Sequence, residues 1–433
     1  MRENNKDYDK YLPYWQQIRV FVEGLRDVQE YLQGVSNQPD TLTNKRNAEY
    51  KARGKYVNFP ARTRNALIGA VFRKDAKVEI PSKLEYILEN ANGAGKPLEQ
   101  VSKHLVTNLV EVGRHGVFVD YGEVLGVKRA KIVTYSAENI LDWETDEVGV
   151  LTHVVLFMSK DKYKHLILRD GAYIVEIRNE KDDVLETITP TKFDGSLFTQ
   201  IPFIMVGSTD NAPDVDDMPI WSIVDVSQGH LQNSCDYEDI LRYLIPTPAV
   251  TVPNKQWLDE MLPNGTYTFG DGSIIPLPDG GSATLLQASP NQMHQEAMKH
   301  KEEQLLMLGA RLVAQGGQAE TAEAVRIKYS AENNVLDNLV GNASSAIQKA
   351  LEWCAEFEGI ETSEIEYELN KQFWDSKLTP QEISAQMLML DRGVKSMYDV
   401  RDTLRKNGEI NQDRTDDEID ADAEVEAGGL GAE

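Results

Sequence analysis

Apolar and small residues recur every three or four positions over residues 321–357, a pattern typical of one continuous helical stripe. The stripe is formed by Leu336, Leu339, Val340, Ala343, Ala346, Ile347, Ala350, Leu351 and Cys354. At about 1.5 Å per residue, the predicted helix is roughly 55 Å long. Another predicted helix, 291–314, precedes it, and a Gln-Gly-Gly-Gln interruption separates the two. Taken alone, this pattern indicates a core helix that follows a glycine turn.

The first half of the chain changes from helical to strand periodicity. Residues 8–33 predict a helix with an aromatic and aliphatic face, and residues 44–74 predict a basic helix. A further helix is predicted over 97–112, where Gly113 ends it. Residues 128–206 alternate apolar and polar positions and contain hairpin turn signals. The sequence therefore predicts an α+β arrangement with an antiparallel β region.

A small insertion is predicted between two helices in the second half. An acidic linker at 208–219 leads into a helix over 219–244, and helix 291–314 follows the insertion. Residues 245–290 are rich in Pro and Gly, with short strand-like runs between them. Because this insertion is too short to be stable alone, we expect it to pack against copies of itself.

The C-terminal part is predicted to contain a strand, two short helices and a tail. The strand falls within 361–370, and Gly393 separates the two helices of 378–408. Residues 413–433 are acidic and without periodicity, so a disordered tail is predicted.

The net charge of the chain bears on whether it can bind nucleic acid. The chain has 45 Lys and Arg against 70 Asp and Glu, a formal net charge of -25. This balance argues against a protein that grips phosphates, although it suits one that lets DNA pass without adhering. The basic segment 44–74 is the exception. It could be a nucleic-acid patch, but a solvated face or salt bridges to an acidic neighbouring subunit are favoured.

Targeting and redox signals are absent from the sequence. The two cysteines, Cys235 and Cys354, are far apart, so neither a disulfide framework nor a cysteine zinc site is predicted. The N-terminus has no apolar signal-peptide run, and no window approaches ~20 uninterrupted apolar residues. We expect a soluble, cytoplasmic protein, or part of an assembly made there.

No motif for catalysis or metal binding emerges. The glycine-rich stretch 93–100 fails as a phosphate loop, because Pro97 stands where the metal-binding Ser or Thr belongs. The seven histidines are scattered without a paired-histidine helix, and no GxSxG elbow occurs. We predict no catalytic residue, no metal and no cofactor.

Five stretches, in their order along the chain, resemble the portal (head–tail connector) proteins of tailed bacteriophages, and in particular the portal-like family of podophage-type and prophage proteins. They are YVNFPARTRNALIGAVFRK (56–74), EVGRHGVFVDY (111–121), YSAENILDW (135–143), ETAEAVRIKYSAENNVL (320–336) and LTPQEISAQMLMLDRGVKSMYDVRDTLRKNG (378–408).

The resemblance implies a portal fold and a ring oligomer. The expected parts are a wing (1–217), a stem helix (218–244), a clip (245–290), a second stem helix (291–314), a tunnel loop (315–319), the wing's long helix and strand (320–377), a short helical crown (378–412) and the acidic tail (413–433).

The resemblance also implies a function. Such proteins form a ring, usually of twelve subunits, at one capsid vertex, assembled in the host cytoplasm. The ring is the channel for DNA packaging and ejection. The implied partners are other copies of the chain, double-stranded DNA passing non-specifically, the large terminase, tail adaptor proteins and the major capsid protein, with no membrane.

Candidate site residues follow from the same resemblance. The tunnel loop facing DNA would be Gln315, Gly316, Gly317 and Gln318. Further candidate lumen contacts are Lys299, Lys301 and Arg311. The clip surface that binds terminase or adaptors would present Lys255, Trp257, Asp259, Asp271 and Asp279. Charge supports a channel separately: repeated round a ring, the acidic excess of the stem and clip would make a lumen with no fixed grip on phosphate. It consists of Asp225, Asp236, Glu238, Asp239, Asp259, Glu260, Asp271 and Asp279 against Arg242 and Lys255.

Two other readings stay open. The first is another non-enzymatic head–tail adaptor or scaffold protein, which would form no ring with an axial hole. The second is a nuclease acting during packaging, which would need a clustered acidic metal site.

Overall fold

The structure, a computed structural model, describes residues 4–24, 26–36, 41–124, 127–243, 247–251, 256, 282–286, 292–310, 322–371, 373, 380–406, 409–410 and 414–429. The chain divides into two compact units. The first unit contains residues 1–68 and 78–368, and the second contains residues 69–77 and 369–433.

The N-terminal part is helical, but the one helix predicted over 8–33 ends at Glu23, because Gly24 takes a left-handed φ of 68° and caps it. The helices of this part are α1 (Lys6–Glu23), α2 (Thr41–Arg53), α3 (Phe59–Val71), α4 (Tyr86–Asn90) and α5 (Leu98–Val112), with short 3-10 turns at Arg26–Tyr31 and Ser82–Leu84.

The single basic helix predicted over 44–74 is wrong, because the structure has two helices there. Asn58 starts the second one: its Oδ1 accepts a 2.9 Å hydrogen bond from the backbone N–H of Ala61. Gly54 lies against Cys235, and a Cβ at this position would collide with the Cys235 sulfur. The chain therefore leaves α2 at a close approach and begins α3 at a capping residue.

Helix α5 ends at Gly113, and the first long strand begins at the next residue. The Gly113 φ of 70° lies in the left-handed region, and its N–H donates to the Leu109 carbonyl. Strands β2 (Arg114–Val124), β3 (Val127–Ser136) and β9 (Phe203–Gly207) form an antiparallel sheet in the order β3-β2-β9.

A second antiparallel sheet contains five strands in sequence order. They are β4 (Ile140–Thr145), β5 (Leu151–Ser159), β6 (Lys162–Arg169), β7 (Ala172–Arg178) and β8 (Val184–Ile188). Asp170 and Gly171 both have positive φ, the geometry of a two-residue hairpin turn. The predicted antiparallel region is therefore present.

The predicted helix–insertion–helix is present in its described parts. It comprises α6 (Trp221–Tyr243), the antiparallel pair β10 (Thr247–Thr251) and β11 (Ser282–Leu286), and α7 (Met293–Ala310). We call these four elements the helical arm. Helix α8 (Ala322–Glu358) follows with 37 residues.

The C-terminal half of α8 is the centre of the first unit. It packs against α5, β2, β3 and β9, and the predicted stripe from Leu339 to Cys354 is buried. The short strands β1 (Lys77–Glu79) and β12 (Glu366–Glu368) form a two-stranded sheet.

The second unit contains α9 (Pro380–Asp391), α10 (Met397–Lys406) and α11 (Asp416–Gly429). The predicted disordered tail is wrong for residues 416–429, which form α11. Thr415 and Glu418 cap this helix reciprocally, each backbone N–H donating to the other side chain. Asp416 and Asp420 pair with Arg405 and Arg401 of α10.

Candidate functional site

Helix α6, the first helix of the helical arm, packs against α2 of the N-terminal part. The Tyr50 hydroxyl on α2 donates a 2.5 Å hydrogen bond to Asp236 on α6. One helical turn further along α6, Arg46 and Arg53 both form ion pairs with Asp239. The side chain of Asp239 is only 14% exposed, so its charge is compensated within the chain.

The spacing of these residues explains the contact. Arg46, Tyr50 and Arg53 stand four and three positions apart, which places all three on one face of α2. The seven-residue interval between the arginines was the sequence signal for this clamp. It was missed because the partner carboxylate lies 193 residues from Arg46.

A second ionic cluster ties α1 and α3 to α5. The carboxylate of Glu111 is 4% exposed and pairs with Arg19 and with Arg64, the latter at 2.7 Å. Arg19 also donates a 2.8 Å hydrogen bond to Glu138. Burial alone would raise the pKa of Glu138, but the hydrogen bond and charge of Arg19 outweigh it and hold that pKa below its usual value.

These pairs change the interpretation of the basic segment. Arg46, Arg53 and Arg64 were expected on a solvated face or opposite a neighbouring subunit. For these three residues that expectation is wrong, because each pairs with a carboxylate of its own chain. Arginines held in this way are unsuited to gripping nucleic-acid phosphates.

Helix α7 packs along α6 on the side that carries Gly229. The Nε2 atom of His230 lies 3.2 Å from Glu302, and Leu231 and Leu305 are buried. The side chain of Lys301 runs beside Gly229, where an added Cβ would lie 2.9 Å from the Lys301 Cε. The two helices therefore pack closely at this glycine.

The structure separates two of the predicted lumen contacts. Lys299 is exposed, whereas Lys301 is half-buried against α6. Two positions along a helix amount to about 200° of rotation, so the two lysines cannot share one surface. Of the expected lumen acids, Asp225 is exposed, but Asp236 and Asp239 are held by α2. The charge of Asp239 is therefore balanced by Arg46 and Arg53 and adds little to the acidic excess expected in the lumen.

The remaining candidate residues lie outside the described part of the chain. They are the tunnel-loop residues Gln315, Gly316, Gly317 and Gln318, the lumen candidate Arg311, and the clip residues Lys255, Trp257, Asp259, Glu260, Asp271 and Asp279.

The described residues include two histidine pairs but no metal-binding cluster. Across these ranges, no group of three or more His, Cys, Asp or Glu side chains could hold a metal ion. Two histidine pairs do form that sequence spacing did not indicate. His153 Nε2 lies 3.1 Å from His165 Nδ1 on adjacent strands, and the rings of His104 and His115 meet edge to face. In addition, no described helix is long and apolar enough to cross a membrane.

Comparison with known proteins adds three findings. A family model described as "Domain of unknown function (DUF4055)" matches residues 219–358, from just before α6 to the end of α8. Among curated proteins, no sequence matches. Solved structures do match, at low identity.

One of these is the virion of a native gene transfer agent particle, at 13% identity and a TM-score of 0.41, covering 84% of this chain and 92% of that one. Another is the neck of a native gene transfer agent particle computed with C12 symmetry, at 14% identity and a TM-score of 0.40, covering 80% and 89%. A third is an HK97-family phage portal protein from Corynebacterium diphtheriae, at 10% identity and a TM-score of 0.32, covering 75% and 94%. The solved structures that this chain resembles are thus virion and neck particles and a phage portal protein.

Proposed function

We propose that this chain is one subunit of a portal ring, the head–tail connector at a capsid vertex through which DNA is packaged and ejected. The observation that carries the proposal is the helical arm. Helices α6 and α7 pack together with the β10–β11 pair between them in the chain. The 37-residue helix α8 follows, and it packs against α5 and the β3-β2-β9 sheet. The five sequence stretches that resemble portal proteins support the same function.

The arm is incomplete as a monomer. A two-stranded sheet such as β10 with β11 is at best marginally stable without further packing. Helix α7 also exposes large apolar side chains, including Leu306 at 56% and Met307 at 58%. Lateral copies of the same arm would cover both features, and a head-to-tail contact that closes on itself makes a ring.

The charge of the chain is consistent with a channel for DNA. A net charge of -25 gives no general attraction to phosphate, so DNA could move without a fixed grip. We place Gln315–Gln318 as the loop nearest DNA, because two glycines allow many backbone conformations and uncharged Gln side chains contact phosphate weakly.

The clip is proposed as the docking surface for the large terminase and for tail adaptors. In this proposal the ring has no catalytic activity of its own, and the motor that docks on it supplies the work of packaging. Neighbouring major capsid subunits would hold the ring at its vertex.

The first experiment measures the mass and shape of the purified full-length chain. Sedimentation and negative-stain micrographs should show closed rings with an axial hole. A monodisperse monomer at every concentration would contradict the proposal. Deletion of the gene should then yield capsids without DNA. If the chain forms rings but deletion of its gene leaves the DNA content of the capsids unchanged, the protein is instead a head–tail adaptor. Mg²⁺-dependent DNA cleavage by the pure ring would favour a nuclease.

A further inference from the structure

The outward face of α7 carries an ordered stripe of exposed side chains. Glu296, Lys299 and Glu303 follow one another at three- and four-residue spacing, and Leu306 with Met307 continues the same face. The opposite face of α7, which includes Leu305, is the one that packs on α6. The outward stripe therefore contributes nothing to the described packing of the arm.

The outward face of α2 carries a matching stripe. Leu42 is 80% exposed, and Lys45, Glu49 and Ala52 follow it at three- and four-residue spacing, all exposed. The neighbouring face of α2, about a quarter turn away, holds Arg46, Tyr50 and Arg53 against α6. Glu49 lies at the border of the two faces and also forms an ion pair with Arg53 at 3.5 Å. Helix α6 thus connects two helices that each turn a patterned face to solvent.

Charge and apolar residues together favour one way of pairing the two stripes. In an antiparallel arrangement, Lys45 meets Glu303, Glu49 meets Lys299, and Leu42 meets the Leu306–Met307 end. In one parallel arrangement Lys45 would meet Lys299 and Glu49 would meet Glu303, so like charges would be opposed. A parallel arrangement shifted to bring Lys45 to Glu296 opposes unlike charges, but α2 then ends before it reaches Leu306 and Met307, which stay exposed. Opposite charges across such a contact fix its register and suppress the wrong one.

On the basis of the ring proposed above, we propose that the outward stripe of α7 packs antiparallel on the outward stripe of α2 in the next copy of this chain. The contact uses two different surfaces, so it repeats head to tail and can close a ring. It would also cover Leu42, Leu306 and Met307, three of the large apolar side chains that a single copy leaves in water. This assigns Lys299 to the subunit contact rather than to DNA.

Cysteine pairs test the register. Cys235 and Cys354 are both buried, so crosslinks that form on oxidation should come from the cysteines introduced at the surface. A chain carrying Lys45→Cys with Glu303→Cys should, on mild oxidation of assembled rings, give a ladder of covalent oligomers. The matched control, Lys45→Cys with Glu296→Cys, places the cysteines as the charge-complementary parallel register would. Crosslinking by the control and not by the first pair would overturn the antiparallel contact.

Charge reversal tests the energetics and separates misfolding from lost contact. One variant carries Glu303→Lys on α7, and the other carries Lys45→Glu on α2. Glu49 is left unchanged because it also pairs with Arg53, which holds α6. Each variant alone opposes like charges where Lys45 should meet Glu303, and we expect association about tenfold weaker. Mixed in equal amounts, the two variants restore complementary contacts, so rings should reappear with alternating subunits.

The outcomes separate this inference from the proposed function. If the wild-type chain forms no ring, the proposed function fails and the contact fails with it. If wild-type rings form but both reversal variants assemble normally, the portal proposal stands and the α2–α7 contact is overturned. Variants that lose assembly and are not restored by mixing also contradict the contact, because complementary charges are then insufficient to rebuild it.

Discussion

Tyr50 on α2 donates a 2.5 Å hydrogen bond to Asp236 on α6, and the two residues lie 186 positions apart in the chain. Tyr50 is almost fully buried, and its hydroxyl also accepts a hydrogen bond from Gln232. Burial and the neighbouring Asp236 carboxylate raise the pKa of Tyr50, so the hydroxyl stays protonated and remains a donor. This bond fixes the base of the helical arm.

We therefore expect Tyr50→Phe to lower the free energy of unfolding by about 1–2 kcal/mol, because it removes a hydrogen bond to a charged acceptor without creating a cavity. Denaturant unfolding of the full chain measures the change. The control is Tyr398→Phe, whose ring is mostly exposed. Equal stability of the two variants would show that the Tyr50 bond is not needed for the arm.

The Arg19–Glu138 pair predicts a dependence of stability on acid. The folded-state pKa of Glu138 lies below its usual value of about 4.3, so the pair stabilises fully above that pH. The stabilisation is lost as pH falls through the lower folded-state pKa. Glu138→Gln should therefore be less stable than wild type at pH 7, and the difference should shrink below about pH 4. A difference that is constant with pH would contradict the ion pair.

Two glycines are expected to respond in opposite directions to alanine. At Gly113 the φ of 70° strains any side chain, and a Cβ would meet the Asp217 carbonyl oxygen, so Gly113→Ala should cost at least about 2 kcal/mol. Gly341 lies within α8 with open space around the added atom, so Gly341→Ala should stabilise by about 0.5–1 kcal/mol. Thermal unfolding of both variants checks the two signs.

Replacement of Gly316 and Gly317 by proline tests the tunnel-loop proposal. Proline restricts the backbone without adding charge, so ring assembly should be retained while DNA packaging or retention falls. The measurements are micrographs of the rings and the DNA content of particles, with Gly341→Ala as the control. Normal DNA content in the proline variant would remove the loop from the mechanism.

Several elements were predictable because their signals are local and periodic. The stripe of α8 from Leu339 to Cys354 repeats on one helix face, and its burial follows directly. The helix end at Gly113 and the turn at Asp170–Gly171 rest on single residues with special backbone geometry. The two-helix arm was predictable from the Pro- and Gly-rich composition of the segment between its helices.

Other features depended on partners that spacing cannot reveal. The charge of the basic segment predicted a solvated or intersubunit face, yet Arg46 and Arg53 pair with Asp239, almost 200 positions away in the chain. The acidic tail lacks periodicity, but arginines on the preceding helix and a Thr415–Glu418 cap hold α11 in place. The candidate DNA-facing loop and clip surface remain predictions, because their residues lie outside those that the structure describes.

The 37-residue α8 has a mechanical consequence. It contains no proline and only one glycine, and its second half is clamped by the core. Such a helix resists bending, since a sharp kink needs proline, glycine or an interrupted hydrogen-bond ladder. A force applied where α8 begins would therefore reach the β3-β2-β9 sheet as a push or a twist instead of being absorbed along the helix.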